Sequence, residues 1–154
     1  MALFGSHGPR GALGTIGALA GVLTAPWIFA AAAHADTYGR LPAVPVVASP
    51  TCGGTVSAEA QVTPVQVIDQ TENGVRAVIH YDAGVYDGSC SVTVTATWSN
   101  LDTGASGRGD ITAVSTIDGH YGFIGYANTT FVTGPGTVVV TFSSHPGAEL
   151  TVTT

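Results

Sequence analysis

Beyond Thr51 the chain is written in twos: apolar and polar residues alternate through one short run after another. Val56, Ala58, Ala60 and Val62 alternate with Thr55, Ser57, Glu59 and Gln61. Val75, Ala77, Ile79 and Tyr81 alternate with Arg76, Val78 and His80, and Val92, Val94, Ala96 and Trp98 with Thr93, Thr95 and Thr97. Ile111, Ala113, Ser115 and Ile117 alternate with Thr112, Val114 and Thr116, and Val138, Val140 and Phe142 with Thr137, Val139 and Thr141. Side chains of a strand point to opposite faces in turn, so this period gives one buried and one solvated face. The β-branched Thr and Val content suits a pleated, half-buried surface. No segment after residue 35 carries the apolar stripe of a helix.

Shorter runs at Val65–Asp69, His120–Ala127 and Glu149–Thr153 add two or three strands. Turn clusters separate the runs: Glu72-Asn73-Gly74, Asp82-Ala83-Gly84, Asp87-Gly88, Asp102-Thr103-Gly104, Asp118-Gly119, Gly134-Pro135-Gly136 and Pro146-Gly147. Each offers a residue tolerant of positive φ or a preset proline φ. The pattern predicts an all-β, immunoglobulin-like β-sandwich of seven or eight short antiparallel strands over residues 51–154. A small β-barrel is the alternative. In the immunoglobulin fold the buried Trp lies between the two Cys, whereas here Trp98 follows Cys90, so the disulfide need not follow that fold's pattern. Residues 36–50, with Pro42, Pro45 and Pro50, read as an extended linker with an edge strand at Val44–Ala48.

Residues 1–35 read as a signal peptide helix rather than as part of the fold. Arg10 is followed by an uncharged stretch, Gly11 to Ala33, and then by Ala33-His34-Ala35 before Asp36. Small residues at these positions are the cleavage pattern of the general secretory route, which places the cut between Ala35 and Asp36. An uncleaved membrane anchor is the alternative, and the Gly/Ala-rich stretch interrupted by Pro26 argues for the leader. Any membrane contact would run through this segment. Export to an oxidising compartment in turn predicts that Cys52 and Cys90, the only two cysteines, are paired. Closing that loop stabilises by about 4 kcal/mol in the chain-entropy model. Four Arg, no Lys and ten acids give a net charge of −6. Such a chain does not present the basic surface that nucleic-acid binding rests on.

Few motifs carry chemistry. Leu101-Asp102-Thr103-Gly104-Ala105-Ser106 resembles the catalytic loop of retroviral-type aspartic proteases. The resemblance implies two subunits, each lending one carboxylate to a proton-sharing pair, with Phe123-Ile124-Gly125 as the second motif. The sequence departs from that family where Ser106 is followed by Gly107-Arg108-Gly109-Asp110 and where little chain is left for a flap before Gly125. The competing reading of Asp102 is a hairpin turn. Arg108-Gly109-Asp110 resembles the integrin-binding tripeptide, which needs display on an exposed loop. His80, His120 and His145 lie in separate segments, and His80 is expected to face solvent. Asp82 and Asp87 read as turn residues, with a calcium loop as the alternative. Tyr81, Tyr86, Tyr121, Phe123 and Tyr126 are candidates for a sugar-stacking or partner patch, or for core packing. Asn128-Thr129-Thr130 fits the N-glycosylation pattern of eukaryotic hosts.

The run Val92–Gly104, with Gly134-Pro135-Gly136 before Thr137–Phe142, resembles small exported immunoglobulin-like proteins of actinobacteria. That resemblance implies a secreted or cell-envelope location and no defined activity. The expectation is an exported, non-enzymatic binding or cell-surface structural protein, with an unknown protein or envelope component as partner. No catalytic residue, metal ligand or cofactor is assigned. The alternatives are an aspartic-protease-like dimeric hydrolase using Asp102 and a metal- or ligand-binding sandwich.

Overall fold

The computed structural model describes residues 36–116 and 125–154, which fall within one compact unit, Ala33–Thr154. Residues 1–35, expected as a signal peptide ending at Ala35, and residues 117–124 with Ile117, His120, Tyr121 and Phe123-Ile124, lie outside the described residues.

Eight strands form two antiparallel sheets of four. They are β1 (Tyr38–Ser49), β2 (Cys52–Val67), β3 (Gln70–Asp82), β4 (Ser91–Asn100), β5 (Ser106–Val114), β6 (Tyr126–Val132), β7 (Thr137–Phe142) and β8 (Glu149–Thr153). The first sheet has the order β1-β2-β3-β6 and the second β5-β4-β7-β8. The two are separate ladders, so the fold is a β-sandwich and not the alternative barrel. The apolar set of every alternating run, as far as it is described, turns inward. Val56, Ala58 and Ala60 meet Val75, Ala77 and Ile79 on one sheet, and Val94, Ala96, Ile111, Val138 and Val140 face them from the other, all at most 2% exposed.

The register explains where the turns fall. Val56 pairs with Tyr81, Ala58 with Ile79, Ala60 with Ala77 and Val62 with Val75. A slip of one residue would turn this whole set to solvent. The ladder therefore closes on Ile68-Asp69, and Glu72-Asn73-Gly74, expected as a turn, lies inside β3. Gly74 still needs to be glycine, because a Cβ there would collide with the Val65 side chain and the Phe131 carbonyl. Pro64 sits in β2 beyond the reach of β1, where its missing donor faces no partner strand.

Two further boundaries differ from expectation. Residues 36–50 are not a linker: β1 spans twelve residues and forms the edge of the first sheet. Its prolines are tolerated because an edge strand pairs on one side only, and a register irregularity between Leu41 and Val44 accommodates Pro42. Strand β5 begins at Ser106, ahead of Ile111. Its first inward positions are Gly107 and Gly109, so no apolar alternation is written there. Neighbouring rings take the space instead: a Cβ on Gly107 would lie 2.8 Å from Trp98 Nε1, and one on Gly109 3.2 Å from the Phe131 ring. The two rings lie 6.2 Å apart between the sheets.

The cysteines are joined, with Cα atoms 5.5 Å apart. Cys52 opens β2 in the first sheet and Cys90 immediately precedes β4 in the second, so the bond ties the sheets together at one end. At the open edges the backbone adds further ties. Thr153 N donates to Asp36 O at 2.8 Å, and Gly125 N, just ahead of β6, donates to Val114 O at the end of β5. His145, 5% exposed, reaches Pro42 O with Nε2 at 2.8 Å, which links the β7–β8 loop to β1.

Ile68 has φ 55° and is 93% exposed at the tip of the β2–β3 hairpin. Positive φ at the first of two turn residues alone is the pattern of a type II′ turn, whose first position favours Gly. Ile68→Gly should therefore stabilise the protein by about 0.5–1 kcal/mol, since it relieves a β-branched residue held in the left-handed region. Urea denaturation checks this, and a lower midpoint for the variant would contradict the register argument.

Candidate functional site

The outward residues of β2 and β3 are the polar set of the alternation, and the register assembles them with β1 and β6 into three rows. Tyr38, Gln61, Arg76 and Thr130 lie side by side across the four strands. The next row is Arg40, Glu59, Val78 and Asn128, and the third holds Ser57, His80 and Tyr126. Cross-strand neighbours in such rows are close enough for their side chains to interact. The resulting face carries two of the three described arginines, a carboxylate, an imidazole and two phenols.

Glu59 is the centre of its charge network. Arg40 Nε lies 3.5 Å and His80 Nε2 3.4 Å from Glu59 Oε1, and the Glu59 side chain is only 17% exposed. The Tyr38 phenol is held above its usual range, first by loss of solvent around it and then by the neighbouring Glu59. His80 meets the ring of Tyr126 edge-on at 5.2 Å, and Asn128 Nδ2 approaches Tyr126 Oη at 3.4 Å. Arg76 is different. Its Nη2 donates to Gln61 Oε1 at 3.1 Å, while its buried Nε has no hydrogen-bond partner. Among the described residues no carboxylate pairs with it.

The residues singled out in the sequence lie elsewhere. Asp102 sits exposed in the β4–β5 loop, where its Oδ2 accepts from Thr137 N at 2.6 Å. Its carboxylate is thus engaged in fastening the β4–β5 loop to the first residue of β7. Arg108-Gly109-Asp110 is not on a displayed loop but runs through edge strand β5. Arg108 and Asp110 face outward from the second sheet, and Asp110 accepts from Thr95 Oγ1 at 2.7 Å. Their surroundings are hydroxyls: Thr93, Thr95, Thr97 and Thr112 share that face. Asp82 and Asp87 each cap a turn, accepting from Gly84 N and Ser89 N at 2.9 Å. The Ser89 hydroxyl and amide hold the Asp87 carboxyl below its ordinary range. Among the described residues no three His, Cys, Asp or Glu side chains come together as a metal site. The aromatic candidates separate: Tyr81 is buried and donates to Gly53 O at 3.0 Å, Tyr86 is exposed in the β3–β4 loop, and Tyr126 alone joins the first sheet's outer face. His80 faces solvent side by side with Ser57, on the face opposite Ile79 and Tyr81, as expected.

Tyr38, Arg40, Glu59, Gln61 and Arg76 were not singled out as a site in the sequence. Glu59, Gln61 and Arg76 signal only as charged or polar members of an alternating set, Tyr38 and Arg40 lie in the stretch expected as a linker, and only the register puts the five side by side. Asn100 also escapes notice, although it is fully buried and organises the loop that holds Asp102. Its Nδ2 donates to Thr133 O and Pro135 O at 2.9 and 3.0 Å. Its Oδ1 accepts from Asp102 N and Thr103 N at 3.0 and 3.1 Å. All four bonding capacities of the amide are used.

Compared with family models, with curated proteins and with solved structures, the chain shows no significant match. The site therefore stands on its own geometry.

Asn100→Ala strands two amides and two carbonyls at once and should destabilise by about 3 kcal/mol. Asp102→Asn keeps an acceptor towards Thr137 N and should cost about 1 kcal/mol or less. Chemical denaturation of both variants checks the order. A cost for Asp102→Asn equal to that of Asn100→Ala would contradict the assignment of Asn100 as the organising residue.

Proposed function

We propose that this protein is an exported, non-enzymatic recognition module of immunoglobulin-like type that contacts the cell envelope through the outer face of its first sheet. The observation that carries the reading is the asymmetry of the two outer faces. One gathers Tyr38, Arg40, Glu59, Gln61, Arg76, His80 and Tyr126 in adjoining rows. The other is chiefly Thr and Ser, with its charged residues at the β5 and β8 edges. Recognition surfaces concentrate Tyr and Arg, which combine a broad apolar body with directional polar ends.

Several features support the class. Apart from β1, the sheets read β2-β3-β6 and β5-β4-β7-β8, with the chain crossing between sheets in Greek-key fashion, as in immunoglobulin-like domains. An inter-sheet disulfide suits an oxidising compartment. The leader-like residues 1–35 and the resemblance to exported actinobacterial proteins suit secretion and an envelope location. Large exposed apolar residues such as Val47, Ile68 and Leu101 lie on separate elements, which favours a polar rather than a greasy contact.

The test is co-sedimentation of the protein recovered from culture fluid with the insoluble envelope of its host. The recovered chain should begin at Asp36 by mass spectrometry and should pellet with the envelope. A double variant, Arg76→Gln with Tyr126→Ala, should bind about tenfold or more weakly. A control on the other face, Thr97→Ala with Thr141→Ala, should pellet like the parent. Equal pelleting of all three, or none of any, would overturn the proposal.

A further inference from the structure

Arg76 is the one place on the recognition face where the chemistry is incomplete. A guanidinium is always charged and presents its donors in a rigid fork that matches a carboxylate. In this protein the fork is half-buried between β2 and β6, is held at one end by Gln61, and carries an Nε with neither solvent nor a partner. The Nε leaves one donor of a charged group unpaired, while the end of the fork at Nη2 lies exposed, where a ligand can reach it. Glu59, the carboxylate of this face, is already shared by Arg40 and His80 one row away. Across the β3–β6 pair Arg76 faces only Thr130.

We infer that this face binds an acidic polysaccharide, with a sugar carboxylate seated against Arg76 and Thr130. The inference rests on the recognition face proposed above and names its ligand class. The charge argument is one of complementarity: the described acids number nine and the arginines three, yet within these three rows two arginines and His80 stand together around one already paired carboxylate, while Glu72 and Asp82 occupy outward positions of β3 only beyond the rows at either end. The remaining groups suit a sugar. Gln61 and Asn128 offer amides, and Thr130 and Ser57 offer hydroxyls, in the same three rows. Tyr38 and Tyr126 stand at opposite corners and offer rings on which a pyranose can lie.

The same observations disfavour a peptide. A peptide adding to a sheet pairs with a strand edge; the β1 edge is interrupted by Pro42 and Pro45 and by the irregularity at Leu41/Val44, and addition at β6, the other edge, would extend the ladder beside the face rather than cover Arg76 on β3. A peptide read through its side chains needs apolar pockets. The centre of this face is instead Glu59, Val78 and Asn128, flush in a four-stranded row.

Binding of the full protein to oligogalacturonate, to its methyl ester and to poly-L-glutamate tests the inference by calorimetry. Oligogalacturonate should bind, and the other two should bind at least about tenfold more weakly. Arg76→Gln should lose oligogalacturonate binding by about tenfold or more, while Arg108→Gln on the other sheet keeps it. Thr130→Asp supplies the missing carboxylate from the neighbouring strand. It should abolish oligogalacturonate binding while raising the unfolding midpoint, an outcome that a misfolded variant cannot imitate. Equal binding of the ester, equal binding of poly-L-glutamate, or no binding of oligogalacturonate overturns the inference. If envelope sedimentation still depends on Arg76 and Tyr126 in that case, the ligand class fails and the recognition face stands. If sedimentation ignores them, the face itself fails.

Discussion

The burial of inward-facing side chains between the two sheets is the constraint on which everything else depends. A strand cannot move by one residue without exchanging its buried and solvated faces. Once Val56, Ala58 and Ala60 are matched with Tyr81, Ile79 and Ala77, every outward neighbour is placed as well. The core thereby positions the surface. Glu59 meets Arg40 and His80, and Arg76 meets Gln61, because the apolar residues beside them in the chain are locked inside. The cost of this rigidity appears at Ile68, which is held at positive φ by a ladder that overrides local turn preference.

The disulfide and the polar cross-links act on the same two sheets at different places. Cys52–Cys90 joins them at the end where β2 starts and β4 is entered. Asn100 binds the β4–β5 loop to the β6–β7 loop, at the far end of β4. His145 fastens the β7–β8 loop to edge strand β1. Each tie uses a group whose bonding capacity is filled within the protein, which suits a structural role. Arg76 breaks that rule, and it does so on the face richest in tyrosine and charge.

How much of this was legible depended on whether the information was local. Alternation is local, so the all-β class, the inward set and most turns could be read directly, and the Glu149–Thr153 run coincides with β8. Two cysteines allow a single intramolecular pairing, so the bridge could be read as well. Strand β5 was cut short because its first inward positions are glycines, whose space belongs to Trp98 and Phe131 from other strands. Strand β6 includes the end of the expected His120–Ala127 run, whose first residues lie outside the described ones, and its continuation to Val132 carries no clear alternation because its inward positions mix Ala127, Thr129 and Phe131 and its pattern is only half buried. The Asn73-Gly74 pair is a strong turn signal in isolation, and only the β2–β3 pairing shows why it is not used. The polar outer face of the first sheet was hidden for the same reason: Tyr38, Glu59, Arg76 and Tyr126 come from four strands, and no spacing along the chain announces their meeting.

Native-state hydrogen exchange tests the central claim, that one shared core sets the register of both sheets. Amides of Val75, Ala77 and Ile79 in the first sheet and of Ala96, Trp98 and Val140 in the second should exchange only through global opening, with a single common free energy. Two distinct free energies, one for each sheet, would show that the sheets are stable independently and would contradict the account.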